Sequence, residues 1–345
     1  MLTGPHLSGG AFCRTLPPMN PASLVAVIAV VVAAGLSGCA TTAARTTVRT
    51  VERHRGWHDA IVMANGQVEA VLVPSVGRLM QFRFVGSPDG PLWENGKLAG
   101  QPMPPKPWEA SHGSYGGDKT WPAPQSVWNW PPPDVFDAAP LAFRVQDDGS
   151  VVLVSPVSPR FGIRTERKFS LVADAPVLRV VTTYERVVAG SEVPAEVSVW
   201  VITQAKDPVA MFIPVPASGR FPEGTSKQWG IPKDDMTVRD GLLRLTRDRK
   251  DSHKVGNDAG SMVWVGDLEV LRIDIGLEPG ATYPDGGCSA EIYTNPDPTP
   301  YVELETLGPL RALRPGQRLS ATNTYTLLHR DGEAPETAAR RALAR

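Results

Sequence analysis

Asp59-Ala60-Ile61-Val62-Met63-Ala64-Asn65-Gly66-Gln67-Val68-Glu69-Ala70-Val71-Leu72-Val73-Pro74 is the stretch that decides the fold class. Two apolar, β-branched runs flank an Asn-Gly pair. That dipeptide enters the tight turn between antiparallel strands without steric cost. Working outward, residues 79–85 alternate apolar and polar as a half-buried strand does. Similar runs recur at 141–145, 151–155, 162–171, 177–188 and 196–203. They resume at 236–245, 261–265, 268–277, 289–293, 301–306 and 320–328. Only 336–344 reads as helix, directly after a proline that suits a helix start. Two stretches, 86–140 and 204–235, lack periodicity and read as irregular. Glycine (32) and proline (34) are abundant among the 345 residues, yet 42% of the chain is apolar. A core is therefore affordable, and the excess belongs to turns between short strands. The predicted architecture is all-β: one large antiparallel β-sandwich over residues 56–330, with a helical tail over 331–345.

Charge excludes some function classes. Lys+Arg 35 against Asp+Glu 36 leaves no basic excess for nucleic acid. Phosphate-binding glycine loops, the dinucleotide fingerprint, Gly-x-Ser-x-Gly and His-Glu-x-x-His are all missing. No Cys-x-x-Cys pair or His/Cys cluster occurs, so neither a metal nor a cofactor is expected.

The N-terminus reads as an address. Residues 22–36 are uncharged and apolar, and Leu36-Ser37-Gly38-Cys39 follows. Small residues directly before a cysteine, after such a run, resemble a bacterial lipoprotein signal over 1–39, starting at Met1 or Met19. That resemblance implies acylation of Cys39 and a lipid anchor in the envelope, with sorting to the outer membrane and the body facing the periplasm. The competing reading is an uncleaved span with an incidental cysteine, for which the run is short. Residues 40–55 read as a polar tether.

Chemistry concentrates in Tyr115-Gly116-Gly117-Asp118-Lys119-Thr120-Trp121-Pro122-Ala123-Pro124-Gln125-Ser126-Val127-Trp128-Asn129-Trp130. Flat aromatic faces beside amides and charges suit the C–H face and hydroxyls of a sugar. They equally suit a surface loop pinned by Pro and Trp. In residues 301–306, alternation puts Tyr301, Glu303 and Glu305 on one face. Two same-face carboxylates raise each other's pKa, as acid–base work near neutrality needs; a solvated outer face gives the same pattern. Arg78, Lys119 and Lys254 are candidate cationic donors to a ligand. His112, just before the aromatic stretch, is the histidine best placed for proton transfer, or a loop hydrogen-bonder.

These residues carry a resemblance. The run 115–125 and the later Tyr301-Val302-Glu303-Leu304-Glu305-Thr306-Leu307-Gly308-Pro309-Leu310, followed by Leu313-Arg314-Pro315-Gly316, resemble motifs of an uncharacterised bacterial domain family. That family lies within the galactose mutarotase-like superfamily. Asn65-Gly66 to Gly77-Arg78, and Lys254-Val255-Gly256 before Trp264, fit as well. The resemblance covers about residues 56–328. It implies a two-layer β supersandwich with a carbohydrate ligand in an open groove. It further implies aldose 1-epimerase-like chemistry, with Glu305 as base, Glu303 in reserve and His112 as acid by position alone. Lys119 and Asp118 are alternatives to the histidine. Arg78, Tyr115, Asp118, Lys119, Trp121, Gln125 and Lys254 would hold the sugar. No segment matches the mutarotase histidine motif, which leaves a non-catalytic carbohydrate- or envelope-polymer-binding lipoprotein as the alternative.

Overall fold

The computed structural model describes residues 46–101, 114–128, 130–190, 196–230 and 235–345. Cys39 and the leader lie outside the described residues. The first sheet runs β1 (Thr47–His54), β2 (Trp57–Ala64), β3 (Val68–Val73), β4 (Arg78–Phe84), β5 (Gly117–Ala123), β10 (Ser198–Lys206), β19 (Tyr301–Leu307), β18 (Ala290–Thr294), β15 (His253–Asn257) and β12 (Ser226–Trp229). The second runs β13 (Met236–Arg239), β14 (Leu242–Leu245), β11 (Ala210–Pro214), β16 (Ser261–Val265), β17 (Glu269–Ile275), β20 (Arg318–His329), β9 (Val177–Arg186), β8 (Ile163–Leu171), β7 (Val151–Val157) and β6 (Ala142–Val145).

The hairpin at 59–74 closes as its turn chemistry predicts. Asn65 Oδ1 accepts the N–H groups of Gln67 and Val68, both at 3.0 Å, and Gly66 adopts φ 90°. The Asn65 amide also donates to the carbonyls of Val172 and Ala175, tying this turn to the one between β8 and β9. Inward residues of both sheets, such as Leu72, Phe82, Ile292 and Leu304 against Phe169, Leu271, Tyr325 and Leu327, form one buried cluster. Each such aliphatic or aromatic side chain contributes about 1.5–3 kcal/mol on burial. The C-terminal helix (Pro335–Leu343) lays Ala338, Ala339 and Ala342 on the outer face of the second sheet, against Phe212, Val263 and Val265.

Three expectations are corrected. Residues 117–123 are not a loop. They form β5, buried at every position and placed between β4 and β10. Pro122 is tolerated there because β4 pairs with β5 only at Leu79–Asp118 and asks for no donor further along. The tether reading of 40–55 fails from Thr47 onward. β1 pairs with β2 through a tight turn at Arg55-Gly56, as a largely exposed edge strand whose polar surface hides its pattern. The irregular stretch 204–235 contains the end of β10, all of β11 and β12.

Candidate functional site

Strand register builds the site. Antiparallel pairing sets Lys119, Ile202, Glu305 and Glu291 side by side across β5, β10, β19 and β18. The next row sets Gly117, Gln204, Glu303, Tyr293, Lys254 and Trp229 in line. Residues opposite one another share a face, so both rows lie on the outer face of the first sheet. Alternate residues such as Asp118, Thr203, Val302, Leu304 and Ile292 point into the sandwich. The outer face opens into a cleft of about 470 Å³. That volume is typical of small-molecule sites, about 300–1,000 Å³.

At its floor sits a group of three charges. Lys254 Nζ lies 2.8 Å from Glu305 Oε2 and 2.8 Å from Glu291 Oε2. Trp200 Nε1 donates to Glu305 Oε2 at 2.7 Å, and the ammonium lies 4.5 Å from the Trp200 ring centroid. Gly256 makes the room: a Cβ there would stand 2.6 Å from Glu291 Cγ. Two buried carboxylates thus share one cation. Burial pushes the Glu305 carboxyl up to about 8; Lys254 opposes the rise, while Glu291 and Glu303 add to it. Burial likewise raises Glu291. Burial works to lower Lys254, but Glu291 and Glu305 outweigh it and hold the ammonium above its usual range. This arrangement holds one negative charge firmly and a second reluctantly, the condition for proton exchange near neutrality.

Beside it, Gln204 Nε2 donates to Glu303 Oε1 at 2.9 Å. Lys119 Nζ lies 3.8 Å from the Trp121 ring centroid and 3.4 Å from Asp137 Oδ1. Burial lowers its pKa, with Asp137 opposing. The Trp121 indole donates to the same Asp137 oxygen at 3.0 Å. Tyr293 and Tyr301 complete one wall, both held above their usual pKa chiefly by burial.

Of the residues singled out from sequence, Glu303, Glu305, Lys119, Trp121, Gln125 and Lys254 line this cleft. Three do not. Arg78 is fully buried and donates to the Gly116 carbonyl at 2.9 Å and to Asp137 at 3.0 Å. Tyr115 packs edge-on against Trp57, 5.6 Å between centroids, with the Arg78 guanidinium 5.5 Å from its ring. Asp118 faces inward, where Tyr325 OH (2.6 Å), Thr203 Oγ1 (2.8 Å) and the Arg167 guanidinium all donate to it. Period-two alternation explains the split: Asp118 and Lys119 are neighbours and must face opposite ways. Trp128 is buried too. It donates to the Pro122 carbonyl and props Trp121 edge-on at 5.6 Å. His112 lies outside the described residues.

Sequence reading missed Trp200, Glu291 and Tyr293. The alternation in Ala290-Glu291-Ile292-Tyr293 could have flagged the last two. Trp200 sits in the nearly unbroken apolar run Val197–Ile202, which carries no such signal.

A family model described as Domain of unknown function (DUF4380) matches residues 59–328. No curated protein matches the chain. Among solved structures the chain is similar to a candidate aldose 1-epimerase from Escherichia coli K12. The identity is 14%, with 82% of this chain and 99% of that one covered and a TM-score of 0.50. It is similar in the same way to a candidate mutarotase from Salmonella typhimurium, at 13% identity, 82% and 97% coverage and a TM-score of 0.50. A galactose 1-epimerase from Lactobacillus acidophilus NCFM follows at 10% identity, 82% and 98% coverage and a TM-score of 0.46. The first two likenesses identify the architecture as the galactose mutarotase-like sandwich, and at these identities they concern the fold alone.

Proposed function

The chain belongs to the DUF4380 family, and from that premise we propose that its cleft binds a carbohydrate and performs acid–base chemistry of the aldose 1-epimerase type. The observation that carries this reading is Glu305: a buried carboxylate, fixed by an indole and an ammonium, with a pKa near 8, at the floor of an aromatic cleft. Glu305 takes the proton of the anomeric hydroxyl as the C1 carbonyl forms and the bond from C1 to the ring oxygen breaks. A cleft acid delivers a proton to that ring oxygen. Lys119 is our candidate, since it stands in register with Glu305 across Ile202 and its proton is loosened by burial. Rotation about the C1–C2 bond of the open-chain aldehyde and the reverse steps give the other anomer.

One observation favours a second, non-catalytic reading. No histidine lines the cleft among the described residues, so the site would bind a sugar or envelope polymer and stop there. Proton NMR with freshly dissolved α-glucose or α-galactose separates the two. Faster anomeric exchange that Glu305→Gln abolishes establishes the epimerase. Saturation transfer without faster exchange establishes a binding protein.

We further propose that Cys39 is the lipidated residue and that the sandwich is tethered to the bacterial envelope, on the strength of the Leu36–Cys39 motif. Cys39→Ser should move the protein from the membrane fraction to the soluble one. Retention in the membrane would reject the anchor.

A further inference from the structure

We propose that the cleft is built for a neutral oligosaccharide rather than a single sugar ring, an inference that rests on the carbohydrate site argued above. Two tryptophans that line the cleft stand largely open: Trp130 is 56% exposed and Trp229 57%. Trp121 and Trp200, at its floor, are 6% and 3% exposed. Largely exposed indoles at the rim of a polar cleft mark a contact surface.

The two indoles flank the charged centre on opposite sides. Trp130 meets Trp121 of β5 edge-on, 6.4 Å between centroids. Trp229 stands on β12, 6.2 Å from Tyr293. Five strand spacings separate β5 from β12, roughly 24 Å at about 4.8 Å per strand. One pyranose cannot touch both walls. Aromatic rings continue inward from each side: Tyr293 lies 6.5 Å from Tyr301, and Trp121 lies 5.4 Å from Trp200. Among the lining residues, the Gln125 amide offers a partner for hydroxyls. Lys254 is already shared by Glu305 and Glu291, and Lys119 is paired with Asp137, so the lining has no spare positive charge for an anionic ligand. That suits an uncharged chain and disfavours a uronic or phosphorylated one.

Isothermal titration with glucose and galactose, then with malto-, cello- and galacto-oligosaccharides up to the hexasaccharide, tests this. Affinity should climb with chain length in at least one series and then level off. The total gain should be about a hundredfold, since truncating an interfacial tryptophan typically costs roughly tenfold or more. In the double variant Trp130→Ala/Trp229→Ala, the ratio of hexasaccharide to monosaccharide affinity should collapse toward one while the melting temperature holds. Length-independent affinity in every series, with single sugars still bound, would overturn the oligosaccharide cleft and leave the sugar site standing. A wild-type ratio in the double variant would also overturn it. Silence from single sugars and all three series would remove both readings.

Discussion

Asp118 and Glu305 are both buried carboxylates of the first sheet, on β5 and β19 to either side of β10, yet their surroundings are opposite in kind. Asp118 faces into the sandwich, with one guanidinium, one phenol and one hydroxyl donating to it. One anion meets one cation there, and its oxygens are satisfied. Glu305 faces the cleft and shares a single ammonium with Glu291. Carboxylates outnumber the cation there, since Asp285 also stands 4.0 Å from that ammonium, and the proton that would ease the excess is exchangeable. A closed network holds sheets together, whereas an unbalanced one that opens on a cleft can do chemistry. Burial alone does not distinguish them.

The comparison is broken most sharply by Glu305→Gln. Exchange should fall about 10²–10⁴-fold, the usual worth of a positioned base, while stability in denaturant changes by less than about 1 kcal/mol because Lys254 keeps Glu291. An equal loss of stability would make Glu305 a structural residue like Asp118. Asp118→Ala should do the reverse. It strands Arg167 in the interior and should cost roughly 3–5 kcal/mol in chemical denaturation, and a melting temperature near that of the wild type would refute the inter-sheet role. Lys254→Met removes the shared cation, so the Glu305 carboxyl should rise further above about 8, and the acid limb of the rate–pH profile, where the base loses its proton, should move up by roughly one to two units. A profile that stays put would mean Lys254 does not govern the base.

The smallest effect lies in the pH dependence of stability. Glu305 holds its proton in the folded chain up to about 8, against an ordinary value of 4.5. Between those values the folded state binds more protons than the unfolded one, so stability should fall as pH rises through the window. Glu305→Gln should flatten that slope in part, with Glu291 supplying the rest. An unaltered slope would remove Glu305 as its source.

What the sequence made legible follows from how strands advertise themselves. Residues 59–74 and 162–171 have one polar and one apolar face, or a clear turn residue, and their strands stand where alternation puts them. β5 broke that logic. Its charges point to both sides and are neutralised by partners far along the chain, Arg167 for Asp118 and Asp137 for Lys119. Local periodicity cannot see such pairing. The same limit applies at the site. Glu303 and Glu305 shared a face by arithmetic alone, but the contact between Glu305 and Lys254 exists only because β15, β18 and β19 lie side by side. Arg78 and Asp118 misled for a related reason: a charged residue in a glycine-rich motif reads as a ligand contact until its partner is known.

The single rung between β4 and β5 has a mechanical consequence. Along most of the first sheet, neighbours are joined by ladders of several residues; here Leu79–Asp118 is the only registered pair. Side-chain bonds take over where the ladder stops, and Arg78 crosses from β4 to the Gly116 carbonyl and to Asp137. The molecule therefore carries a seam, stitched by the Arg78 guanidinium and by the Gln81 amide, which bonds Gly90, Leu92 and Glu94, with the hairpins β1–β4 on one side and the cleft on the other. Amide exchange near unfolding conditions should part along that line, with the β1–β4 amides losing protection before those of β10 and β19.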